Sequence, residues 1–161
     1  MATDERTTRL ATPDDADEVA RLLHDFNTEF DTPSPGVGVL APRLRRLLAG
    51  DATLAILAGT PAVGVALVTL RPNVWYVGQV ALLDELYVVP ARRSRGIGSA
   101  IVDHLLSLAR ASSVDLIEIN VDEGDVDARR FYERHGFTAT DPDTGEPALY
   151  YWRELGGATP R

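Results

Sequence analysis

The stretch Arg93-Ser94-Arg95-Gly96-Ile97-Gly98 carries the most chemistry in this chain. It joins a β-type run, Asp84 to Val89, to a helical run that begins near Ser99, and a strand-to-helix corner of this kind can hold a phosphate. Glycine at 96 and 98 permits positive φ and close backbone approach, while the following helix aims its positive dipole end at the same point. Arg92, Arg93 and Arg95 add fixed charge beside it. Taken alone, the stretch is also compatible with an Arg-decorated tight turn after a strand.

Composition removes many alternatives. The 161 residues contain no cysteine, which excludes thiolate nucleophiles, disulfides and Cys-ligated metals. All 16 basic residues are arginine, so lysine chemistry is excluded too: the P-loop lysine, Schiff bases and pyridoxal mechanisms. The corner is not a dinucleotide fingerprint, because the third glycine position holds Ile101. A net charge of −8 repels a nucleic-acid backbone, and a discrete anionic small molecule suits the arginine cluster better. His24, His104 and His135 share no metal-type spacing, and Ser94 and Ser99 lack a G-x-S-x-G setting; no metal is expected. The charged start and the lack of an apolar run of ~20 residues predict a cytoplasmic protein with no membrane partner.

The elements that must position the corner read as follows. Thr7–Ala11 is a short strand, and Thr12-Pro13 starts a helix to about Asn27 whose Val19, Leu22, Leu23 and Phe26 form one apolar stripe. Leu44, Leu47 and Leu48 mark a brief second helix ended by Gly50. Thr53–Ala58 and Ala62–Leu70 form a hairpin, and a longer strand runs from about Trp75 to Val89. A helix to about Ser112, a strand Val114–Val121, a helix Val126–His135 and strands Phe137–Thr140 and Leu149–Leu155 complete the pattern. The fold class expected is α/β (α+β): one domain over 1–161, a mixed, mostly antiparallel twisted sheet of six to seven strands, and about four helices. Residues 1–5 and 156–161 read as flexible tails. Trp75, Tyr76, Tyr150, Tyr151 and Trp152 read as strand aromatics for core or dimer packing, which keeps a homodimer among the expected assemblies.

The chain resembles the GNAT (Gcn5-related) N-acetyltransferase superfamily in two blocks. Leu86-Tyr87-Val88-Val89-Pro90 with Arg93-Ser94-Arg95-Gly96-Ile97-Gly98 is similar to the family's L-x-V-x-P and R/Q-x-x-G-x-G/A corner. Ala128, Phe131, Tyr132, Gly136 and Phe137 are similar to its N-x-x-A-x-x-F/Y-Y-x-x-x-G-F helix. One position departs: the family's usual asparagine is Asp125 here, which can still cap the helix and bond a pantetheine amide.

The resemblance implies acetyl-CoA as cosubstrate. Its diphosphate would sit on N–H groups of Arg93, Ser94, Arg95, Gly96, Ile97 and Gly98, with Ser99 adding a hydroxyl. Its pantetheine arm would pair with Leu86, Tyr87 and Val88 like an added strand, near Asp125, Ala128 and Phe131. That requires a splayed central pair, the strand ending at Val89 and the one at Val114–Val121, opened by a β-bulge between Leu82 and Leu86. Glu85 is the expected base, and strand alternation turns Asp84 the other way. An N–H near Val88 would face the oxyanion, and Tyr132 would protonate the leaving thiolate. Solvated-edge carboxylates and ordinary core aromatics are the alternatives.

The first two helices and their loop are expected to line the acceptor site with Phe26, Glu29, Phe30 and Asp31, joined by Asp84. Acidic walls on a chain of −8 favour a cationic small-molecule amine: a polyamine, an aminoglycoside or a basic peptide terminus. A catalytically idle CoA-binding sensor and a protein- or tRNA-linked amine acetyltransferase are the competing readings.

Overall fold

The computed structural model describes residues 4–156, which fall into two compact units that part between Ile119 and Asn120. The expected tails lie outside the described residues at 1–3 and 157–161. Asp4 and Glu5 are held in place: the Thr7 N–H donates to the Asp4 carbonyl at 2.8 Å, and the Arg92 guanidinium bonds Glu5 at 2.6 Å.

The first unit opens with β1 (Thr8–Leu10) and a 3-10 turn, Pro13–Asp15, that leads into α1 (Ala16–Glu29). The Thr12 N–H donates to the Asp15 carboxylate at 2.7 Å, which the Arg9 fork also grips, so the start of α1 is fixed from both sides. Val19 and Leu22 of the apolar stripe are wholly buried. The second helix is longer than its leucines suggest: α2 (Val37–Leu48) runs through Pro42. Strands β2 (Thr53–Ala58), β3 (Gly64–Arg71), β4 (Gln79–Val88) and β5 (Val114–Ile119), with α3 (Ile97–Ala111) between the last two, complete this unit.

The sheet order is β1-β2-β3-β4-β5, with every pair antiparallel except β4-β5, which is parallel. Ala55, Leu57, Val65 and Tyr87 share one core with Ala16, Val19, Leu22, Ala41 and Leu44 of the first two helices. Ile97, Ile101, Val102 and Leu105 of α3 are buried as well. The α/β class, the mixed sheet and the four helices are as the sequence predicts.

Four expectations are corrected. The described sheet has five strands rather than six or seven, and the parallel pair lies at its edge rather than its centre. Phe137–Thr140 and Leu149–Leu155 form no strands; a single bridge, Thr140–Pro147, links that region. The Asp141 carboxylate accepts from the Asp143 and Thr144 N–H groups at 2.8 and 2.9 Å and winds the chain into a turn, and Pro147 has no N–H to extend a ladder. Finally, β4 begins at Gln79 rather than Trp75. The Asn73 side chain takes the N–H groups of Trp75 and Tyr76, each at 2.8 Å, which bends 73–76 away from the sheet and leaves Trp75 88% exposed.

The second unit contains α4 (Val126–Arg134). Asp125 caps it by accepting the Ala128 N–H at 3.0 Å. At the other end Gly136 takes φ +86°, the Phe137 N–H returns to the Tyr132 carbonyl and the Gly136 N–H to that of Glu133. That closure satisfies the last carbonyls of the helix.

Candidate active site

The site is built on the far half of β4. Leu67 of β3 lies opposite Glu85 while Val68 lies opposite Leu83, so Asp84 is the extra residue of a β-bulge, inside the expected window. On the other side of β4 the pairing to β5 runs only from Gln79 to Leu83. Beyond that point no strand among the described residues borders Asp84–Val88 on the β5 side, which is the splay the corner chemistry calls for.

Backbone direction follows from one hydrogen bond. The Val89 N–H donates to the Val63 carbonyl next to β3 at 2.9 Å. The Val88 carbonyl shares a trans peptide plane with that N–H and points the opposite way, toward the open edge. Alternation carries this along the strand, so Leu86 and Val88 present N–H and C=O to the splay while Tyr87 presents its own to β3. Tyr87 therefore offers an added strand nothing, and its ring is core, 4% exposed.

The bulge also corrects the expected direction of Asp84. Glu85 lies on the Leu67 face, and Asp84 reaches the same face to accept from the Thr69 hydroxyl at 2.5 Å. Two carboxylates thus stand side by side. Partial burial, and then the Asp84 charge, push Glu85 up from its ordinary 4.5 to about 7, where a carboxylate can exchange a proton near neutrality. Thr69 carried no sequence signal; only the register brings it to Asp84.

After β4 a 3-10 turn, Pro90–Arg92, leads into the corner. Ser94 takes φ +60° and Gly96 φ +80°, and buried Ile97 anchors the start of α3, two residues earlier than expected. The backbone N–H groups of Ser94, Arg95, Gly96, Ile97 and Gly98 make no hydrogen bond among the described residues, so this concave run fits an anionic ligand oxygen. Its three arginines differ. Arg92 is paired with Glu5, Arg93 is paired with Glu29, and Arg95 has no ion-pair partner among the described residues. The Arg93 N–H is also engaged, by the Pro90 carbonyl at 3.3 Å. A hollow of about 220 Å³ beside the corner is lined by Asp4, Glu5, Arg6, Arg95 and Ile97.

Of the expected acceptor residues, Phe26, Glu29 and Phe30 gather at the end of α1. The Phe26 ring stacks on Tyr87 at 5.1 Å and meets Phe30 edge-on at 5.3 Å. Glu29 is held below its ordinary 4.5 by the hydrogen bonds of Arg93. Asp31 is exposed, at φ +52° just past the helix.

In the second unit, Tyr132 is buried, with Phe131 at 5.1 Å and Phe137 at 5.7 Å. His24 and His104 engage hydroxyls, those of Ser34 and Thr8. Among the described residues no group of three or more His, Asp or Glu could hold a metal, and no helix is long and apolar enough to cross a membrane.

Residues 18–137 match the family model described as the Acetyltransferase (GNAT) family. A crystal structure of an Arthrobacter sp. FB24 protein assigned as an acetyltransferase is 56% identical, with a TM-score of 0.88 over 92% of this chain and 96% of that one. An aminoglycoside acetyltransferase from an uncultured soil metagenomic sample shares the fold at 15% identity, with a TM-score of 0.76 over 93% and 96% of the two chains. The mycothiol acetyltransferase of Beutenbergia cavernae is 36% identical over 72 residues, 43% of this chain; the match spans about a quarter of that relative's length, 24%.

Proposed function

The chain belongs to the GNAT acetyltransferase family, and from that premise we propose that it transfers acetyl from acetyl-CoA directly to a primary amine of a small cationic molecule. The observation that carries this reading is the open edge of β4, which ends in the unpaired N–H groups of Ser94–Gly98 and holds Glu85 at its bulge.

Acetyl-CoA supplies the activated acyl group: the acceptor nitrogen bonds to the thioester carbon and the carbon–sulfur bond breaks. The corner binds the diphosphate through backbone N–H groups, with Arg95 as the available cation. Leu86 and Val88 align the pantetheine amides as an added strand, and the Val88 N–H faces the developing oxyanion. Glu85 takes the proton that the acceptor nitrogen sheds, and Tyr132 gives its hydroxyl proton to the departing sulfur. Asp125, Ala128 and Phe131 contact the pantetheine arm. Asp84, beside the base, attracts the acceptor's charge.

Calorimetry with acetyl-CoA, followed by detection of free CoA thiol across polyamines, aminoglycosides and peptide amines, tests the proposal. Binding together with amine-dependent CoA release is expected. Binding with no release for any amine would favour an idle CoA-binding module, and no binding at millimolar ligand would refute the reading.

A further inference from the structure

We propose that the Arg93 side chain, although it belongs to the diphosphate corner, is a positioning residue that leaves the phosphates to its neighbours and clamps the end of α1 to the open edge of β4. The inference rests on the acetyltransferase reading above and assigns a separate task within it.

Three of the five guanidinium N–H donors, both prongs of the fork included, are already occupied. One Nη donates to Glu29 Oε1 at 2.6 Å, the other to Glu29 Oε2 at 2.7 Å, and Nε donates to the Val88 carbonyl at 2.9 Å. This is a two-point fork on a carboxylate with a third bond to backbone, a geometry lysine cannot reproduce. The guanidinium carbon also lies 5.6 Å from the centre of the Tyr87 ring, which in turn stacks on Phe26. A diphosphate that took the two-pronged fork of this arginine would have to displace a bidentate carboxylate. Arg95, exposed and without an ion-pair partner among the described residues, has no such competitor.

The partners give the clamp its meaning. Glu29 is the last residue of α1, and Phe26 of that helix with Phe30 just past it forms the aromatic wall expected to receive the acceptor. The Val88 carbonyl points to the open edge, three residues from Glu85. Arg93 therefore sets the distance between the acceptor wall and the edge where the thioester would lie. It also neutralises Glu29, which leaves Asp31, Asp84 and Glu85 as the expected site carboxylates without an arginine partner among the described residues.

The experiment compares Arg93→Met, the near-isosteric Glu29→Gln, their combination, and Arg95→Met. CoA affinity is read by calorimetry. Hydrogen exchange is followed at Phe30, Asp31 and Thr32, whose N–H groups close the end of α1. KM values are measured for acetyl-CoA and for the amine that wild type uses best. The clamp predicts that Arg93→Met and Glu29→Gln each shift CoA affinity less than about threefold, speed exchange at those amides at least about tenfold and raise the amine KM at least about tenfold. The double variant should add nothing to either single one. Arg95→Met should show the reverse pattern, with weakened CoA binding and unchanged exchange. A tenfold loss of CoA affinity in Arg93→Met, or unchanged exchange in both clamp variants, overturns the proposal and leaves the acetyltransferase reading standing. Absence of CoA binding by wild type is the distinct result that removes the reading itself.

Discussion

Glu85 should set the pH at which the enzyme turns on. With its carboxyl raised from 4.5 to about 7, roughly one-tenth of the protein carries the ionised base at pH 6, half at pH 7 and nine-tenths at pH 8. At saturating acetyl-CoA, kcat should rise about tenfold per pH unit below pH 6 and level off above pH 8. Glu85→Gln should lower it about 10²- to 10⁴-fold and remove the limb. Asp84→Asn identifies the group. Burial is the larger of the two causes, so losing the Asp84 charge should move the limb down by less than about 1.2 pH units, under half of the rise from 4.5 to about 7. Stability gives a second, chemistry-free readout. The folded protein holds this proton more tightly than the unfolded chain, so it loses stability as pH climbs from about 4.5 through 7, and Glu85→Gln abolishes the loss. The ceiling is about 3 kcal/mol, and screening at a partly exposed site brings it to about 1–2 kcal/mol. The variant should therefore melt about 3–6 °C above wild type at pH 8 and with it at pH 4. A limb that stays put in Asp84→Asn, or equal melting at pH 8, would refute the assignment.

Tyr132→Phe should cut kcat at least about a hundredfold while CoA affinity by calorimetry stays within about twofold; a parallel loss of affinity would make Tyr132 a packing residue only. Arg95→Ala should weaken CoA binding about three- to tenfold at low salt, with the difference shrinking toward 0.5 M salt as screening removes an exposed charge; a salt-independent loss would contradict that role. Gly78→Ala should lower the melting temperature by about 5–10 °C, because a Cβ there would overlap the Ser113 carbonyl beside the bond from the Gly78 N–H to Asp115; unchanged melting would mean the loop does not approach so closely.

What the sequence reveals of this fold divides by range. Elements announced by local chemistry are legible: the capped start of α1, the hairpin of β2 and β3, and the Gly136 stop of α4. Leu44, Leu47 and Leu48 mark only the later part of α2, which begins at Val37 and passes through Pro42. Trp75 and Tyr76 look like strand residues by type, yet one asparagine side chain captures both N–H groups and ends the strand first. Leu149–Leu155 has strand composition and no pairing among the described residues, since composition states a preference while a ladder needs a neighbour.

The site shows the same division more sharply. The corner and the bulge window follow from motif residues close in sequence, but alternation counts residues while a bulge changes the count, so the face of Asp84 was out of reach until the register was known. Charge is similar. Arg92, Arg93 and Arg95 look alike in the sequence, and only contacts 87 and 64 residues distant separate them into one neutralised by Glu5, one neutralised by Glu29 and one available. A corner with three arginines thus presents, among the described residues, one arginine without an ion-pair partner together with a row of backbone N–H groups. Backbone donors are held in place by the fold, whereas an exposed side chain must be ordered to bind. Coenzyme affinity should therefore depend more on the conformations of Ser94 and Gly96 than on the number of arginines around them.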